Sequence, residues 1–146
     1  MGWENDDNKL EKIGPNHFHE IPICRHINSD YPNKQSECIE GYGMFDVDKP
    51  ENFIAFQSND DSMINARIRE NDLVLVHKQN YATSGQIVVC IIGKNDAILR
   101  RYFEKGDVVI LQPNNPNYDP IVVNKSEFED GTVKIIGVVR RMIIYF

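Results

Sequence analysis

The stretch Asp60-Asp61-Ser62-Met63 follows the apolar run FIAFQ (53–57) and opens SMINARI (62–68), which has room for one or two helical turns. A serine hydroxyl at such a junction does chemistry only when a neighbour takes its proton. A lysine can do so only when burial lowers its pKa enough to leave it neutral. Lys78 follows the run LVLVH, and Lys94 and Lys105 sit in turn segments, so all three read as solvated charges and not as bases. Asp72 reads as a turn residue. His17, His19 and His26 carry imidazoles, but no carboxylate or cysteine lies beside them at a ligand-like spacing. The expectation is therefore no metal and no cofactor.

The elements that must hold Ser62 read as strands. FIAFQ (53–57), LVLVH (73–77), QIVVCII (86–92), DAILRRYF (96–103), DVVILQ (107–112) and TVKIIGVVRRMIIYF (132–146) are rich in β-branched and aromatic residues. Turn chemistry separates them, and GKND (93–96) and EKGD (104–107) have the look of hairpin tips. Gly85, Gly106 and Asn71 stand where a turn needs positive φ. This rhythm predicts an all-β domain of mostly antiparallel, twisted, barrel-like sheets over 21–146, preceded by a charge-rich linker over 1–20 with Gly14 and Pro15 as breakers.

The chain has 146 residues and a net charge of −6, with 41% apolar and 26% charged residues. That is enough for one domain with a real core. The acidic balance argues against direct binding to nucleic acid, which needs a basic face. The pairs Arg100-Arg101 and Arg140-Arg141 do not supply one, because alternation along a strand sends their members to opposite faces. No apolar run approaches the roughly 20 residues of a membrane helix, and the polar, acidic start is not a secretory signal. Cys24, Cys38 and Cys90 are odd in number and widely spaced, and are read as reduced thiols of a cytoplasmic protein. The last strand is strongly apolar. If it lies at a sheet edge it needs a partner, which makes Val139, Met142, Ile144 and Phe146 candidates for a homodimer interface; a buried central strand is the alternative.

Taken in order, Ser62-Met63, Asn71-Asp72, Gly85 with Val88-Val89, Ala97 with Leu99-Arg100-Arg101, Leu111 with Pro113, Asn115, Pro116, Tyr118, Pro120 and Ile121, and Gly137-Val138-Val139 form a pattern. It resembles the C-terminal domain of the LexA and phage-repressor family of self-cleaving regulators. Ile21-Pro22-Ile23 and Ile39-Glu40-Gly41-Tyr42 are similar to the start of that domain, so the resemblance covers roughly 21–139. It implies a serine nucleophile at Ser62 and a lysine base at the position held here by Arg100. Arginine stays protonated, with a pKa above about 12, and offers five donors but no base. The resemblance also implies a cleavage site at Ser29-Asp30, where the family has Ala-Gly, and a glycine where Asp60 stands. An Asp at the cut and two acids beside the serine oppose the reaction. Arg100 is expected to offset Asp60 and Asp61 as an ion pair in a relic site.

The resemblance further implies a role. Family members carry an N-terminal helix-turn-helix that reads operator DNA, and dimerise through this domain. Met-Gly-Trp-Glu-Asn resembles the end of such a DNA-binding domain, so the chain is expected to be the C-terminal portion of a prophage or phage-like repressor, with DNA bound only through the missing part. Two alternatives stand beside it. One is an active autoprotease at Ser62, triggered in the DNA-damage (SOS) response by a recombinase filament acting as coprotease. The other is a non-catalytic module that binds an antirepressor protein.

Overall fold

Short β-branched runs broken by Gly, Asn and Asp pair into one sheet, seen in a computed structural model that describes residues 18–143. The strands are β1 (Phe18–Cys24), β2 (Ile39–Asp46), β3 (Phe53–Gln57), β4 (Leu73–Lys78), β5 (Ile87–Ile92), β6 (Ile98–Lys105), β7 (Val108–Gln112), β8 (Ile121–Asn124) and β9 (Val133–Met142). Among the described residues one short α-helix, α1 (Ser126–Glu129), precedes β9. The order across the sheet is β2-β1-β3-β4-β9-β5-β6-β7-β8, all antiparallel except for the short parallel contact of β1 with β3. The domain is all-β, as the strand rhythm predicts. SMINARI contributes a single 3-10 turn, Ile64–Ala66.

The turns follow local chemistry. Gly85, Gly106 and Asn71 adopt φ of +97°, +61° and +75°, as expected for the reversals they occupy. Asp72 Oδ2 accepts the Arg69 N–H at 2.8 Å and fixes the turn into β4. The main core gathers Phe56, Met63, Ile68, Val74, Val76, Val89, Ile91 and Leu99. A second core of Val88, Cys90, Tyr102, Val109 and Leu111 lies under β5–β8. Ile135 of β9 joins the second core and Ile136 the first, so this strand is the seam between them.

One open alternative is decided here and one expectation is corrected. The terminal strand β9 is central, paired to β4 on one side and β5 on the other, and the sheet edges are β2 and β8. Its apolar residues are explained by burial on both faces, so edge pairing through β9 is not available. Gly137 makes the position workable, because a Cβ there would press on the His77 carbonyl of β4. The correction concerns the thiols. Cys24 and Cys38 form a disulfide, with their Cα atoms 5.1 Å apart, and only Cys90 is free. Cys24 ends β1 opposite Ile39, the first residue of β2, so the β1–β2 ladder brings the two cysteines together.

β1 begins at Phe18, inside the stretch read as linker; the rest of that stretch, His17 included, lies outside the described residues. His19 sits in β1 opposite Phe45, and His26 Nδ1 lies 3.0 Å from Asp96 Oδ2. Among the described residues no group of three His, Cys, Asp or Glu side chains could hold a metal ion, and no helix is long and apolar enough to cross a membrane.

Candidate active site

Ser62 is fixed by its neighbours on both sides along the chain and by one loop across from it. After β3, the Ser58 hydroxyl donates to Asp60 O at 2.9 Å, and Ser58 exchanges backbone hydrogen bonds with Asn71 and Asp72, each 2.8 Å. The Asp60 carboxylate then accepts the Ser62 N–H at 2.9 Å. Across the gap, Asn114 N–H donates to Ser62 O at 2.8 Å, and the Asn115 amide donates to Asp61 O at 3.0 Å. Met63, 1% exposed, anchors the segment in the main core. These contacts leave Ser62 itself 1% exposed.

Arg100 arrives from β6, where it pairs with Val88 of β5. Its side chain is 5% exposed. Nη1 donates to Ser62 Oγ at 2.6 Å and to Leu99 O at 2.7 Å. The guanidinium carbon lies 5.6 Å from the centre of the Tyr118 ring, within range of a cation–π attraction. Nε of Arg100 and Oδ1 of Asn114 are buried without a hydrogen-bond partner.

The expected ion pair of Arg100 with Asp60 or Asp61 does not form; among the described residues Arg100 takes part in none of the salt bridges. Each acid has another partner. Asp60 caps the Ser62 amide, and Asp61 Oδ1 accepts the Tyr118 hydroxyl at 2.8 Å. That hydrogen bond, first among several causes, raises the Tyr118 pKa. The Arg100 charge is met by Ser62, a carbonyl and a ring face, not by a carboxylate.

The chemical consequence is direct. A nucleophilic serine must donate its hydrogen bond to a base. Here Ser62 Oγ accepts from a cation that has no proton-accepting atom. The buried thiol is an equally poor nucleophile: burial pushes Cys90 up to about 12, against a smaller lowering by Arg100. Lys78 is half-buried, not simply solvated, and its pKa is lowered by desolvation, opposed by Glu51. Lys94 and Lys105 are exposed.

Ser62 and Arg100 are thus brought together, while Ser29 and Asp30 are held by other partners. Lys134 Nζ of β9 donates to Ser29 O at 3.0 Å, and Asp30 N–H donates to Asn28 Oδ1 at 3.0 Å. Of the interface candidates, Val139 packs on the main core and Met142 is 45% exposed; Ile144 and Phe146 lie outside the described residues. Sequence reasoning missed the Asp60 cap, the Tyr118 ring over the guanidinium and the Lys134 tether. An acid two residues before a serine is a signal for the first; the other two depend on tertiary placement.

A family model described as Peptidase S24-like matches residues 20–140. The chain is 35% identical over 125 residues to the LexA repressor of Citrifermentans bemidjiense, covering 84% of this chain and 62% of that one. It is 36% identical over 122 residues to the LexA repressor of Clostridioides difficile, covering 82% and 56%. It is also 36% identical over 131 residues to that of Clostridium perfringens strain SM101, covering 83% and 59%. The chain therefore spans about six-tenths of the length of these relatives.

Proposed function

The chain belongs to the Peptidase S24-like family, and from that premise we propose that it is the C-terminal regulatory and dimerisation domain of a phage-like transcriptional repressor, with self-cleavage silenced by Arg100. The observation that carries the reading is the 2.6 Å hydrogen bond from Arg100 Nη1 to Ser62 Oγ. Arg100 occupies the place of the family's base and engages the nucleophile's oxygen from the donor side. The proton that must leave Ser62 for attack has no acceptor there.

The segment meant to be cut fits the same reading. The Ser29 carbonyl is tethered to Lys134, and Asp30 brings a charge to a position where a small neutral residue enters the family's cleft. A recombinase filament that promotes self-cleavage in relatives has no working dyad to promote here. Repression is then relieved by loss of the dimer, and operator DNA is bound by an N-terminal helix-turn-helix joined to this domain. Dimer energy adds to operator affinity because two linked half-site contacts form together. The acidic charge suits a domain of a cytoplasmic repressor whose DNA contacts lie in another part of the protein.

Intact mass followed over several days at neutral and alkaline pH tests the reading. The chain is expected to stay whole in both. Fragments arising near residues 29–30 that vanish on Ser62→Ala would overturn it, and would require a base other than Arg100.

A further inference from the structure

A cavity of about 560 Å³, lined by neither Ser62 nor Arg100, is bounded by the 31–35 segment, the end of β4, α1 and β9. Its size falls within the roughly 300–1,000 Å³ of small-molecule sites. Its apolar wall includes Tyr31, Phe128, Ile135 and Ile136, where the two cores meet at the seam strand. Its polar wall includes two lysines, Lys78 and Lys134, and no Asp or Glu lines it. In a chain of net charge −6, a pocket with two ammonium groups and no lining carboxylate is a local reversal of sign.

Among the described residues neither lysine meets an anion in contact. Lys134 donates to the Ser29 carbonyl at 3.0 Å, a neutral acceptor. Lys78 is half-buried and feels Glu51 at a distance, while desolvation lowers its pKa. A half-buried ammonium gains more from an anion than an exposed one, because less water competes.

We propose that this cavity is a binding site for a small organic acid: an apolar or aromatic body seated against Ile135, Ile136, Tyr31 and Phe128, with one carboxylate between Lys78 and Lys134. The carboxylate draws Lys134 away from the Ser29 carbonyl, so occupancy loosens the segment holding Ser29 and Asp30. The site is distinct from Ser62 and Arg100, and the binding stands whether or not the chain cuts itself. It gives a repressor domain without self-cleavage a route by which a metabolite reaches the loop.

The test uses 2-naphthoate and its uncharged counterpart 2-naphthamide, titrated calorimetrically into the whole chain. Naphthoate is expected to saturate below about 1 mM and to bind about tenfold more tightly than the amide. Lys78→Gln and Lys134→Gln are each expected to weaken naphthoate about fivefold and to leave the amide unchanged, and Lys78→Arg to keep most of the affinity. Amide exchange at residues 28–31 is expected to speed up on saturation. Equal affinity for the two probes, insensitivity to both glutamine variants while their melting stays unchanged, or no saturable heat would each overturn the site. Binding with unaltered exchange at 28–31 would overturn the link to the loop.

Discussion

The Asp60 carboxylate accepts the backbone N–H of Ser62 at 2.9 Å, so the amide next to the hydroxyl is already occupied by a fixed anion. In serine acyl transfer that amide is a usual donor to the oxyanion of the tetrahedral intermediate, and removal of one such donor costs about 10²–10³ in rate. Asp60 also repels a developing negative charge. On the proposed reading the site carries two separate obstacles, Arg100 donating to the serine oxygen where a base is needed and Asp60 capping the amide that would serve the oxyanion. Arg100→Lys alone is expected to give slow cleavage near residues 29–30 at alkaline pH. The double variant Asp60→Gly, Arg100→Lys is expected to be faster by about a hundredfold, with Ser62→Ala abolishing both. Intact mass against time reads all three, and a double variant no faster than the single would remove Asp60 from the account.

Gly137 sits where β9 is squeezed between β4 and β5, opposite Lys78 on one side and Val89 on the other. A Cβ there would press on the His77 carbonyl oxygen and would lie 2.6 Å from Val76 Cγ1, so backbone must move. Gly137→Ala is expected to destabilise the fold by about 2–4 kcal/mol in urea unfolding. Gly41→Ala on the edge strand β2, with nothing within 4 Å of the added carbon, is the control and should stay within about 0.5 kcal/mol of the parent.

Strands with clean turn punctuation were legible from sequence; the β3 run read from 53 to 57 coincides with the observed Phe53–Gln57. β2 is harder to see, because Gly41 and Gly43 interrupt its alternation, and β8 has only four residues. The central place of β9 was one of two readings, since apolar residues on both faces suit a buried strand and a paired edge alike. The meeting of Ser62 with Arg100 comes from the family pattern, as spacing along the chain does not show that a turn residue and a strand residue come together. The ion pair failed for a local reason: a carboxylate two residues before an amide caps that amide before it can reach a distant cation. The disulfide was hidden because only the β1–β2 ladder brings Cys24 and Cys38 together.

The exposed end of β9 offers a test of self-association. Met142 is 45% exposed beside β4, facing Val74 in register. If this end meets a second copy, Met142→Glu places a charge in an apolar contact and should raise the dimer dissociation constant at least about tenfold in sedimentation analysis. Val139→Glu is a different experiment, since Val139 packs on the main core and its loss lowers folding stability first. An unchanged dimer constant for Met142→Glu would move the interface elsewhere.

Alkaline pH should weaken the fold through buried groups that keep their protons in the folded state, Tyr102 and Cys90 foremost, with Tyr31 raised beside them. Burial first, then the Glu104 hydrogen bond, pushes Tyr102 up to about 12 from 10.0, and burial pushes Cys90 up to about 12 from 9.0. The folded state therefore keeps both protons at pH values where the unfolded chain releases them. Their contribution is complete below pH 9 and is lost as pH rises toward 12. Urea unfolding between pH 8 and 11.5 should show falling stability, with the decline starting near 9 for the thiol and near 10 for the phenol. Tyr102→Phe should flatten the part above 10 and Cys90→Ala the part above 9. A parent curve that stays level to pH 11.5 would contradict both shifts.

The thiols themselves can be counted. Cys90 is fully buried and held protonated, so a thiol reagent at neutral pH should find nothing to modify in the folded chain. In denaturant without reductant one thiol should react, Cys90, because Cys24 and Cys38 are joined. After reduction the count should rise to three. Three thiols before reduction would restore the reading of a fully reduced chain. The bridge spans a sequence separation of 14, and in the loop-entropy account such a closure stabilises a fold by about 3 kcal/mol. Cys24→Ala, Cys38→Ala is expected to cost about that figure in urea unfolding, and both sulfurs also leave the main core. Amide exchange should locate the loss in residues 25–37, the loop that carries Ser29 and Asp30, and leave the Ser62 turn unchanged.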